Sequence, residues 1–280
     1  MTAATADHSS VTSGESGDWI ETLARVGYPA KGFVYLITGA LALQLALGGG
    51  GGEAVGPMGA VESLRNEPFG QVLIGLTAIG LFAYAVWRFV QAVKDPENKG
   101  TDAKGIASRV GYACSGVVYS LIGVEAVRLL VSGGGGQGGD GASHWTRKLM
   151  ELPFGKWLVM LAGLAILGAG AYQFYRGYSA KFEKLLKSEE MSSEEMTWGR
   201  RLGRVGFMAR GVVYAIIGIF LLVAGFQSNP EQAKGVGGAL EYLTGTGWGP
   251  WVLGLVAVGL FAYGAFSAVI LCRYRRILGS

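Results

Sequence analysis

The sequence has few charged residues, few cysteines and few histidines. Charged side chains make up 16% of its 280 residues, whereas a soluble domain carries about a quarter. The two cysteines and two histidines lie too far apart for the spaced ligand sets that hold a metal ion. Neither His8 nor His144 has partners for a catalytic triad. We therefore expect no enzyme, no metal site and no cofactor.

The N-terminal segment has no lysine or arginine. Residues 1–18 are rich in Ser, Thr, Ala and Gly, and their only charges are acidic. This composition is typical of a disordered tail, and it lacks the basic and then apolar segments of a signal peptide. We expect a disordered cytoplasmic tail over 1–18, and a first spanning helix that also acts as the targeting signal.

Apolar residues are concentrated in six long stretches from which charge is nearly excluded. Each stretch approaches the roughly 20 residues that a helix needs to cross about 30 Å of hydrocarbon. None shows the alternation of apolar and polar residues that a membrane β-barrel requires. The sequence predicts an all-α integral membrane protein with six transmembrane helices. They are expected within residues 28–48, 69–90, 110–131, 157–175, 205–226 and 248–272.

Lysine and arginine are distributed unequally between the two ends of these helices. With six spans both termini lie on one side, and that side carries eighteen of the 24 basic residues. Basic residues in short loops stay in the cytoplasm, so we expect cytoplasmic N- and C-termini. The net charge of +4 follows from this orientation. The expected partner is the lipid bilayer and not nucleic acid.

A two-helix unit recurs three times along the chain. The segment Arg-Val-Gly-Tyr at 25–28 returns at 109–112 and, ending in phenylalanine, at 204–207. Each copy continues with the same spacing of glycine, tyrosine and glycine. The sequence therefore divides, after the tail, into three repeats at 19–98, 99–188 and 189–280.

The second helix of the unit recurs as well. Gly-Leu-Phe-Ala-Tyr at 80–84 is repeated unchanged at 259–263 and weakly at 168–172. Because each unit has two spanning helices, the chain returns to the side where it started, and the three copies are parallel. Parallel membrane repeats are related by an axis along the membrane normal. We expect a six-helix bundle with approximate threefold pseudosymmetry.

Each unit has the same predicted parts. A short amphipathic helix on the cytoplasmic surface ends at the arginine of the repeated motif, and the first span follows. An outer loop with a short helix leads to the second span, which begins at Pro-Phe-Gly (68–70 and 153–155) or Trp-Gly-Pro (248–250), since proline costs little at a helix start. In the long loop 179–203, Ser192 and the acidic residues after it predict a helix N-terminus.

These segments resemble the bacterial family called domain of unknown function 1206. The resemblance rests on the triplicated Arg-Val-Gly-Tyr/Phe motif, the Pro-Phe-Gly starts and the Gly-Leu-Phe-Ala-Tyr segments, and it covers nearly the whole chain after residue 18. It implies a bacterial inner-membrane protein with three copies of the unit, and it implies no activity. The second copy has Ser115 where copies one and three have Lys31 and Arg210. This departure argues against strict threefold symmetry of function.

Tyrosine and glycine form a stripe along the first helix of each unit. Spacings of four, three and four residues place these side chains on one helix face. Three such faces around an axis would line a narrow path or a ligand pocket with phenol hydroxyls. The alternative, which we favour, is close helix packing, because small residues let membrane helices approach one another. The stripes are Tyr28, Gly32, Tyr35 and Gly39; Tyr112, Gly116, Tyr119 and Gly123; and Phe207, Gly211, Tyr214 and Gly218.

Two opposite charges lie inside the third predicted span. Glu125 and Arg128 are three residues apart, so their side chains can pair on one helix face. Ionisable residues inside a membrane are costly and mark functional sites. Arg128 lies near the outer surface, however, where its long side chain can reach the interface together with its partner. The pair is a candidate site, and both interpretations stay open.

Basic residues mark the cytoplasmic ends of the first, third and fifth spans. Lys31 and Arg210 lie deeper than the others, about one helical turn into their helices. Binding of an anionic substrate or a lipid headgroup is one interpretation. We favour the other, in which these side chains snorkel to the interface and fix the orientation of the protein. The set consists of Arg25, Lys31, Arg109, Arg204 and Arg210.

Two functions suit such a bundle. The first is permeation of a small solute or an ion through or between the repeats, which the internal repeats and the Glu125–Arg128 pair favour. The alternative is a non-transporting structural or interaction protein that docks partners through its cytoplasmic loops. The scarcity of other polar residues in the helices favours this alternative. We place permeation first, and the sequence identifies no substrate, protein partner or oligomeric state.

Overall fold

The computed structural model describes residues 11–48, 54–132, 141–245 and 247–275. Over these ranges the chain forms helices joined by turns and loops and contains no β-strand, which confirms the all-α prediction. Six helices are long and apolar enough to cross a membrane. By length and composition the chain therefore suits a multi-pass membrane protein.

Each predicted unit contains a long helix, a short helix in the loop that follows it and a second long helix. The α-helices are α1 Val11–Ala46, α2 Pro57–Ser63, α3 Gly70–Lys94, α4 Ala103–Ser132, α5 Gly141–Met150, α6 Gly155–Tyr178, α7 Ser193–Gln227, α8 Val236–Thr244, α9 Gly249–Ala265 and α10 Cys272–Tyr274. A π-helical turn, Phe266–Leu271, joins α9 to α10, and short 3-10 turns lie at Leu64–Asn66, Lys181–Leu185, Ser188–Glu190 and Pro230–Gln232. The short helices predicted between the two spans of each unit are confirmed.

The second helices begin at the predicted glycines. Gly70 and Gly155 each follow a phenylalanine with a left-handed backbone, φ 60° at Phe69 and 61° at Phe154. Both glycines are required, because an added Cβ would lie 2.1 Å or 2.2 Å from a carbonyl oxygen of the preceding turn. In the third unit α9 begins at Gly249, with proline in its first turn.

The entry of each unit is not a separate surface helix. Helices α1, α4 and α7 run without a break from the entry into the span, so the prediction of a short helix ending at the repeated arginine is wrong. No proline lies between an entry and its arginine to interrupt the backbone hydrogen bonds. Helix α1 begins at Val11, so residues 11–18 of the predicted tail are helical, and residues 1–10 lie outside the described ranges. Helix α7 begins with the capping box of Ser192 and Glu195.

The six long helices pack side by side in the order α4, α3, α1, α9, α7, α6. The two long helices of unit one, α1 and α3, are in extensive contact, and so are those of unit three, α7 and α9. Helices α4 and α6, which form unit two, stand at the two ends of this order. Within the described ranges they make no comparable contact with each other. The bundle is therefore open between α4 and α6.

Glycines of the first helices lie where one unit meets the next. A Cβ on Gly32 of α1 would lie 2.6 Å from the carbonyl oxygen of Gly264 in α9. A Cβ on Gly211 of α7 would lie 2.8 Å from the carbonyl oxygen of Gly170 in α6. On α4, Gly116 faces a ring of α3 at 3.0 Å. The glycines of the stripe thus allow close helix contacts between units. The same contacts recur two turns further along, at Gly39, Gly123 and Gly218.

These contacts also fix the alignment of the second unit. Gly264 of α9 contacts Gly32 of α1, and Gly170 of α6 contacts the equivalent Gly211 of α7. Gly264 and Gly170 are 94 positions apart (264 minus 170). The first residues of α9 and α6 are 94 apart as well (249 minus 155). Ala169 therefore corresponds to Tyr263. The weak sequence match that paired residue 172 with Tyr263 is displaced by three residues, about one helical turn.

Candidate functional site

The third residue of the repeated motif shows how the units differ. A Cβ on Gly27 would lie 2.6 Å from Tyr84 Cα, and one on Gly206 would lie 2.7 Å from Tyr263 Cα. In units one and three, the two long helices therefore touch backbone to backbone. A Cβ on the equivalent Gly111 would meet nothing within 4 Å. In unit two the two helices are separated at this level.

Exposure of aromatic side chains leads to the same conclusion. Trp87 in unit one and Phe266 in unit three are fully buried, whereas Tyr172, which holds the corresponding place in unit two, is 57% exposed. The opening between the helices of unit two is called the side gap below. It is bordered by Gly111 and Cys114 on α4 and by Ala169 and Tyr172 on α6, all of them exposed.

The centre of the bundle holds a lysine surrounded by tyrosines. The Lys31 side chain is buried, and its ammonium donates hydrogen bonds to Tyr84 Oη at 2.9 Å and to Tyr263 Oη at 2.8 Å. The ammonium also lies 5.6 Å from the ring centroid of Tyr119 and 6.0 Å from that of Tyr35. Rings from all three units therefore surround a single cation, at cation–π distances.

Arg210 holds the position of Lys31 in unit three and is also buried. Its guanidinium donates to Tyr214 Oη and lies 4.3 Å from the ring centroid of Tyr263 and 5.3 Å from that of Tyr35. The Nε atom is buried and has no hydrogen-bond partner among the described residues. Since a buried donor is normally satisfied, this N–H is available to a ligand.

Two further arginines reach the same region from α3 and α6. Arg88 is buried and donates to Tyr84 Oη at 2.7 Å and to Gln91 Oε1 at 2.7 Å. The guanidinium carbon of Arg176, a partly buried residue, lies 4.6 Å from the ring centroid of Phe207. Both arginines are near enough to Lys31 for their charges to interact with it. The central cation cluster, as named below, consists of Lys31, Arg88, Arg176 and Arg210 with Tyr35, Tyr84, Tyr119, Tyr214 and Tyr263.

A buried ion pair lies beside this cluster, at the end of the bundle that carries the chain termini. Arg275 donates to Glu97 Oε1 at 2.6 Å, and the two side chains are 6% and 7% exposed. Tyr112 Oη donates to the other carboxylate oxygen at 2.8 Å. Burial alone would raise the pKa of Glu97, but the charge of Arg275 and the hydrogen bonds from Arg275 and Tyr112 lower it to about 2. Glu97 is therefore ionised at neutral pH.

The cluster carries more positive charge than its surroundings balance. Glu97 is already paired with Arg275. In the part of the chain that the structure describes, Lys31, Arg88 and Arg210 have tyrosine or glutamine partners and no carboxylate. An unpaired charge away from water costs several kcal/mol, so buried charges are normally paired. The arrangement therefore suits the binding of an anion.

Hydrogen-bond donors are also in excess. The hydroxyl oxygens of Tyr84 and Tyr263 accept hydrogen bonds from Lys31. A phenol that accepts in this way keeps its own O–H as a donor. Together with the free Nε–H of Arg210, these hydroxyls suit a group that only accepts hydrogen bonds, such as a carboxylate or a phosphate.

The basic residues predicted at the membrane interface separate into two groups, buried and hydrogen-bonded to backbone carbonyls. The prediction that Lys31 and Arg210 snorkel is wrong, because the tyrosines offer their charges hydrogen bonds and ring faces inside the bundle. The arginines of the repeated motif lie within α1, α4 and α7, and each donates to a backbone carbonyl near the C-terminal end of a second span. These bonds are Arg25 Nη1 to Cys272 O at 2.9 Å, Arg109 Nε to Ala92 O at 2.7 Å and Arg204 Nη2 to Tyr178 O at 3.3 Å.

The predicted pair inside the third span is formed, with unequal exposure. Arg128 Nη1 lies 3.4 Å from Glu125 Oε2, and the two side chains are 70% and 13% exposed. Glu125 Oε1 is buried and has no partner among the described residues. Helical periodicity places the pair on the face of α4 that carries Gly111 and Cys114. It therefore lies further along the side gap and not in the central cation cluster.

Aromatic rings fill the centre of the bundle. Tyr84 and Tyr119 pack edge to face at 4.8 Å between centroids, and Tyr35 and Tyr263 do so at 5.0 Å. Two surface cavities, of about 450 and 470 Å³, lie elsewhere, one beside Trp157 and the other between α7 and the end of α9. The conformation described is therefore one in which the central cation cluster is closed.

Sequence reasoning missed part of this site. The four-residue spacing of Tyr84 and Arg88 was a visible signal, since it places both side chains on one helix face. Nothing in the spacing of the chain indicated that Glu97 and Arg275, 178 residues apart, form a pair. Such a contact depends on how the helix ends meet in space.

Comparisons with known proteins agree with the repeat structure. The family model described as Domain of Unknown Function (DUF1206) matches residues 26–95, 110–180 and 205–270, one segment in each predicted unit. A protein of Bacillus subtilis (strain 168), described as Uncharacterized protein YxxB, is 32% identical over 253 residues, which is 90% of each chain. No solved structure matches the chain. Neither description states an activity.

Proposed function

Because the chain belongs to the family described as Domain of Unknown Function 1206, whose description states no activity, we propose a function from its site. The protein binds a small anion at the central cation cluster and carries it across the membrane. It lies in a bacterial inner membrane with both termini in the cytoplasm, as the bias of basic residues favours. The cluster then lies in the cytoplasmic half of the bilayer.

The excess of buried positive charge is the observation that carries this proposal. Lys31 and Arg210 hold equivalent positions, are both buried and have no carboxylate partner within the described ranges. Charged residues inside a membrane bundle are costly and mark the paths of ions and substrates. An anion between them would accept hydrogen bonds from Arg210 Nε and from the O–H groups of Tyr84 and Tyr263. It would also offset the repulsion between the two cations.

The repeats support a site on an axis between the units. The arginine–carbonyl bonds recur in all three units, and so do the glycine contacts between units. We propose on this basis three parallel repeats with approximate threefold pseudosymmetry. Unit two has Ser115 in place of a cation, so the site is asymmetric.

The packed rings favour a carrier over an open pore. Tyr84 and Tyr119 close the centre by a ring contact, and Tyr84 and Tyr263 accept hydrogen bonds from Lys31. An anion can pass only if these side chains move, so binding and conformational change are coupled. We propose that the ring contacts form the gate.

The alternative function is a non-transporting protein that docks partners through its cytoplasmic loops. The long loop between α6 and α7 favours it, because the loop is held by a two-bond ion pair of Arg200 with Glu183, at 2.7 and 2.8 Å. Beside it Trp198 is 59% exposed next to a cavity of about 470 Å³. A partner that binds there would leave the central cation cluster without a role.

An anion-dependent melting experiment tests the proposal. Protein in mild detergent is melted in sodium salts of chloride, phosphate and acetate at constant ionic strength, and then in chloride salts of several cations. We expect the melting temperature to depend on the anion beyond the general salt effect that all variants share, since an anion that binds the folded state stabilises it. Arg210→Gln should lose the part of this dependence that binding causes, and Arg204→Gln, whose Nη2 donates to Tyr178 O at the end of α6, should keep it. Equal responses of the two variants, or no anion dependence in the unmodified protein, would contradict the proposal.

A further inference from the structure

We infer that the anion is amphiphilic, with its charged group on the central cation cluster and its alkyl chain in the side gap between α4 and α6. This inference rests on the proposed function and specifies the class of its ligand. The observations that carry it are the missing helix contact of unit two, the apolar walls of the gap and the cation at its inner end.

The side gap exists because unit two lacks a ring that the other units have. Tyr28 and Tyr84 pack edge to face at 5.4 Å in unit one, and Phe207 and Tyr263 do the same at 5.4 Å in unit three. Ala169 holds the corresponding place on α6, so unit two has no second ring to fill the space. The first and second helices of this unit do not touch at the level where those of the other units do.

The walls of the gap are apolar and exposed. On α6, Ala165 is exposed and Ile166 is partly buried, and on α4, Val118 and Leu121 are 52% and 42% exposed. A membrane helix surface of this kind accepts a hydrocarbon chain. The gap opens sideways to the bilayer, where amphiphiles are concentrated with their charged groups at the membrane surface.

A cation lies where the gap reaches the central cluster. Arg176 is one helical turn beyond Tyr172 on α6, and its charge interacts with that of Lys31 and with the Tyr112 hydroxyl of α4. Among the described residues its guanidinium has a ring contact with Phe207 but no hydrogen bond or ion pair. A headgroup that enters through the gap therefore meets Arg176.

Charge complementarity favours an anionic amphiphile over a second copy of the chain. The exposed face of α4 carries one carboxylate, Glu125, and this group is already paired with Arg128. A second copy seated in the gap would bring apolar or basic side chains to Arg176 and leave its charge unbalanced. An alkyl phosphate or a fatty acid matches both the apolar walls and the cation.

Three probes separate the contributions of chain and charge. Hexadecyl phosphate has both, methyl phosphate has the charge alone, and hexadecylphosphocholine has the same chain with no net charge. Binding is measured by native mass spectrometry of the full-length protein released from mild detergent. We expect hexadecyl phosphate to bind at least tenfold more tightly than either of the other two probes.

Two variants test whether the chain occupies the gap. Ala169→Trp fills the gap from an exposed position and should weaken hexadecyl phosphate binding at least tenfold, with methyl phosphate binding unchanged within twofold. The control is Leu76→Trp, on an exposed face of α3, which should change neither. A melting curve of each variant shows that it is folded.

The outcomes distinguish this inference from the proposed function. If methyl phosphate binds and hexadecyl phosphate binds no better, the inference is wrong and the proposed function stands. If the two hexadecyl compounds bind equally, the gap is a general lipid site and the inference is wrong. If no phosphate compound binds, both fail. If the unmodified protein is a dimer and Ala169→Trp dissociates it, a second copy of the chain occupies the gap and the inference is wrong.

Discussion

Substitution of alanine for the glycine at the third residue of the repeated motif should have opposite effects on stability in different units. At Gly206 the added Cβ would lie 2.7 Å from Tyr263 Cα, and at Gly27 it would lie 2.6 Å from Tyr84 Cα. Backbone atoms cannot yield as a flexible side chain does, so the helices must separate. At Gly111 the same Cβ meets nothing within 4 Å. One substitution therefore probes three equivalent places with different surroundings.

The magnitude follows from two opposing effects. Overpacking a helix contact costs about 1–3 kcal/mol, and replacing glycine by alanine in a helix gains up to about 1 kcal/mol. Gly27→Ala and Gly206→Ala should each lose about 1–2 kcal/mol, because both effects operate. Gly111→Ala should gain up to about 1 kcal/mol, because only the second does. A change of 1 kcal/mol shifts the melting temperature of a chain this long by about 2–4 °C.

The assay is thermal unfolding of the three variants in one detergent, followed by tryptophan fluorescence. Gly27→Ala and Gly206→Ala should melt about 2–8 °C below the unmodified protein, and Gly111→Ala should melt at the same temperature or above it. If Gly111→Ala is as destabilising as the other two, then α4 and α6 pack like the other pairs. The side gap and the inference built on it would then be wrong.

Two further predictions concern single carboxylates. Glu97 has its pKa lowered to about 2, so its stabilising contribution is complete above the unfolded value of about 4.3 and is lost as pH falls through about 2. Acidification across this window should lower the free energy of unfolding by up to about 3 kcal/mol, measured by chemical unfolding. Glu97→Gln should flatten this dependence of stability on pH. If the Glu97→Gln variant shows the same acid profile, the lowered pKa does not belong to Glu97. If the Glu125–Arg128 pair is functional, Glu125→Gln should abolish anion flux into proteoliposomes without lowering the melting temperature. Unchanged flux would contradict a functional role of the pair.

Local sequence signals predicted the helix boundaries well. Pro-Phe-Gly predicted the starts of α3 and α6, because Gly70 and Gly155 must lie against the preceding turn. Ser192 and the acidic residues after it predicted the start of α7, which the capping box confirms. These features depend on a few neighbouring residues, so they can be read from the chain.

Features that depend on three helices at once could not be read in this way. The depth of Lys31 was evident, but its direction depends on Tyr84 and Tyr263, which come from other helices. Snorkelling is the better expectation for a lone lysine near a membrane surface. It fails here because the tyrosines provide polar partners inside the bundle.

The repeats themselves concealed the side gap. A repeated sequence favours a repeated contact, and the resemblance of 168–172 to 80–84 placed a tyrosine in the second helix of unit two. The helix contacts show that Ala169 holds that position. A displacement of three residues leaves the apolar pattern of a helix nearly unchanged, because it is close to one turn. Only the packing register reveals the missing ring.

Native mass spectrometry of the protein purified without added anions tests the central claim most directly. The account predicts that the unmodified protein retains an acidic adduct beyond its own mass. Arg210→Gln should lose this adduct, and Arg204→Gln should keep it. The claim is contradicted if the unmodified protein carries no acidic adduct, or if Arg210→Gln retains the same adduct at the same occupancy.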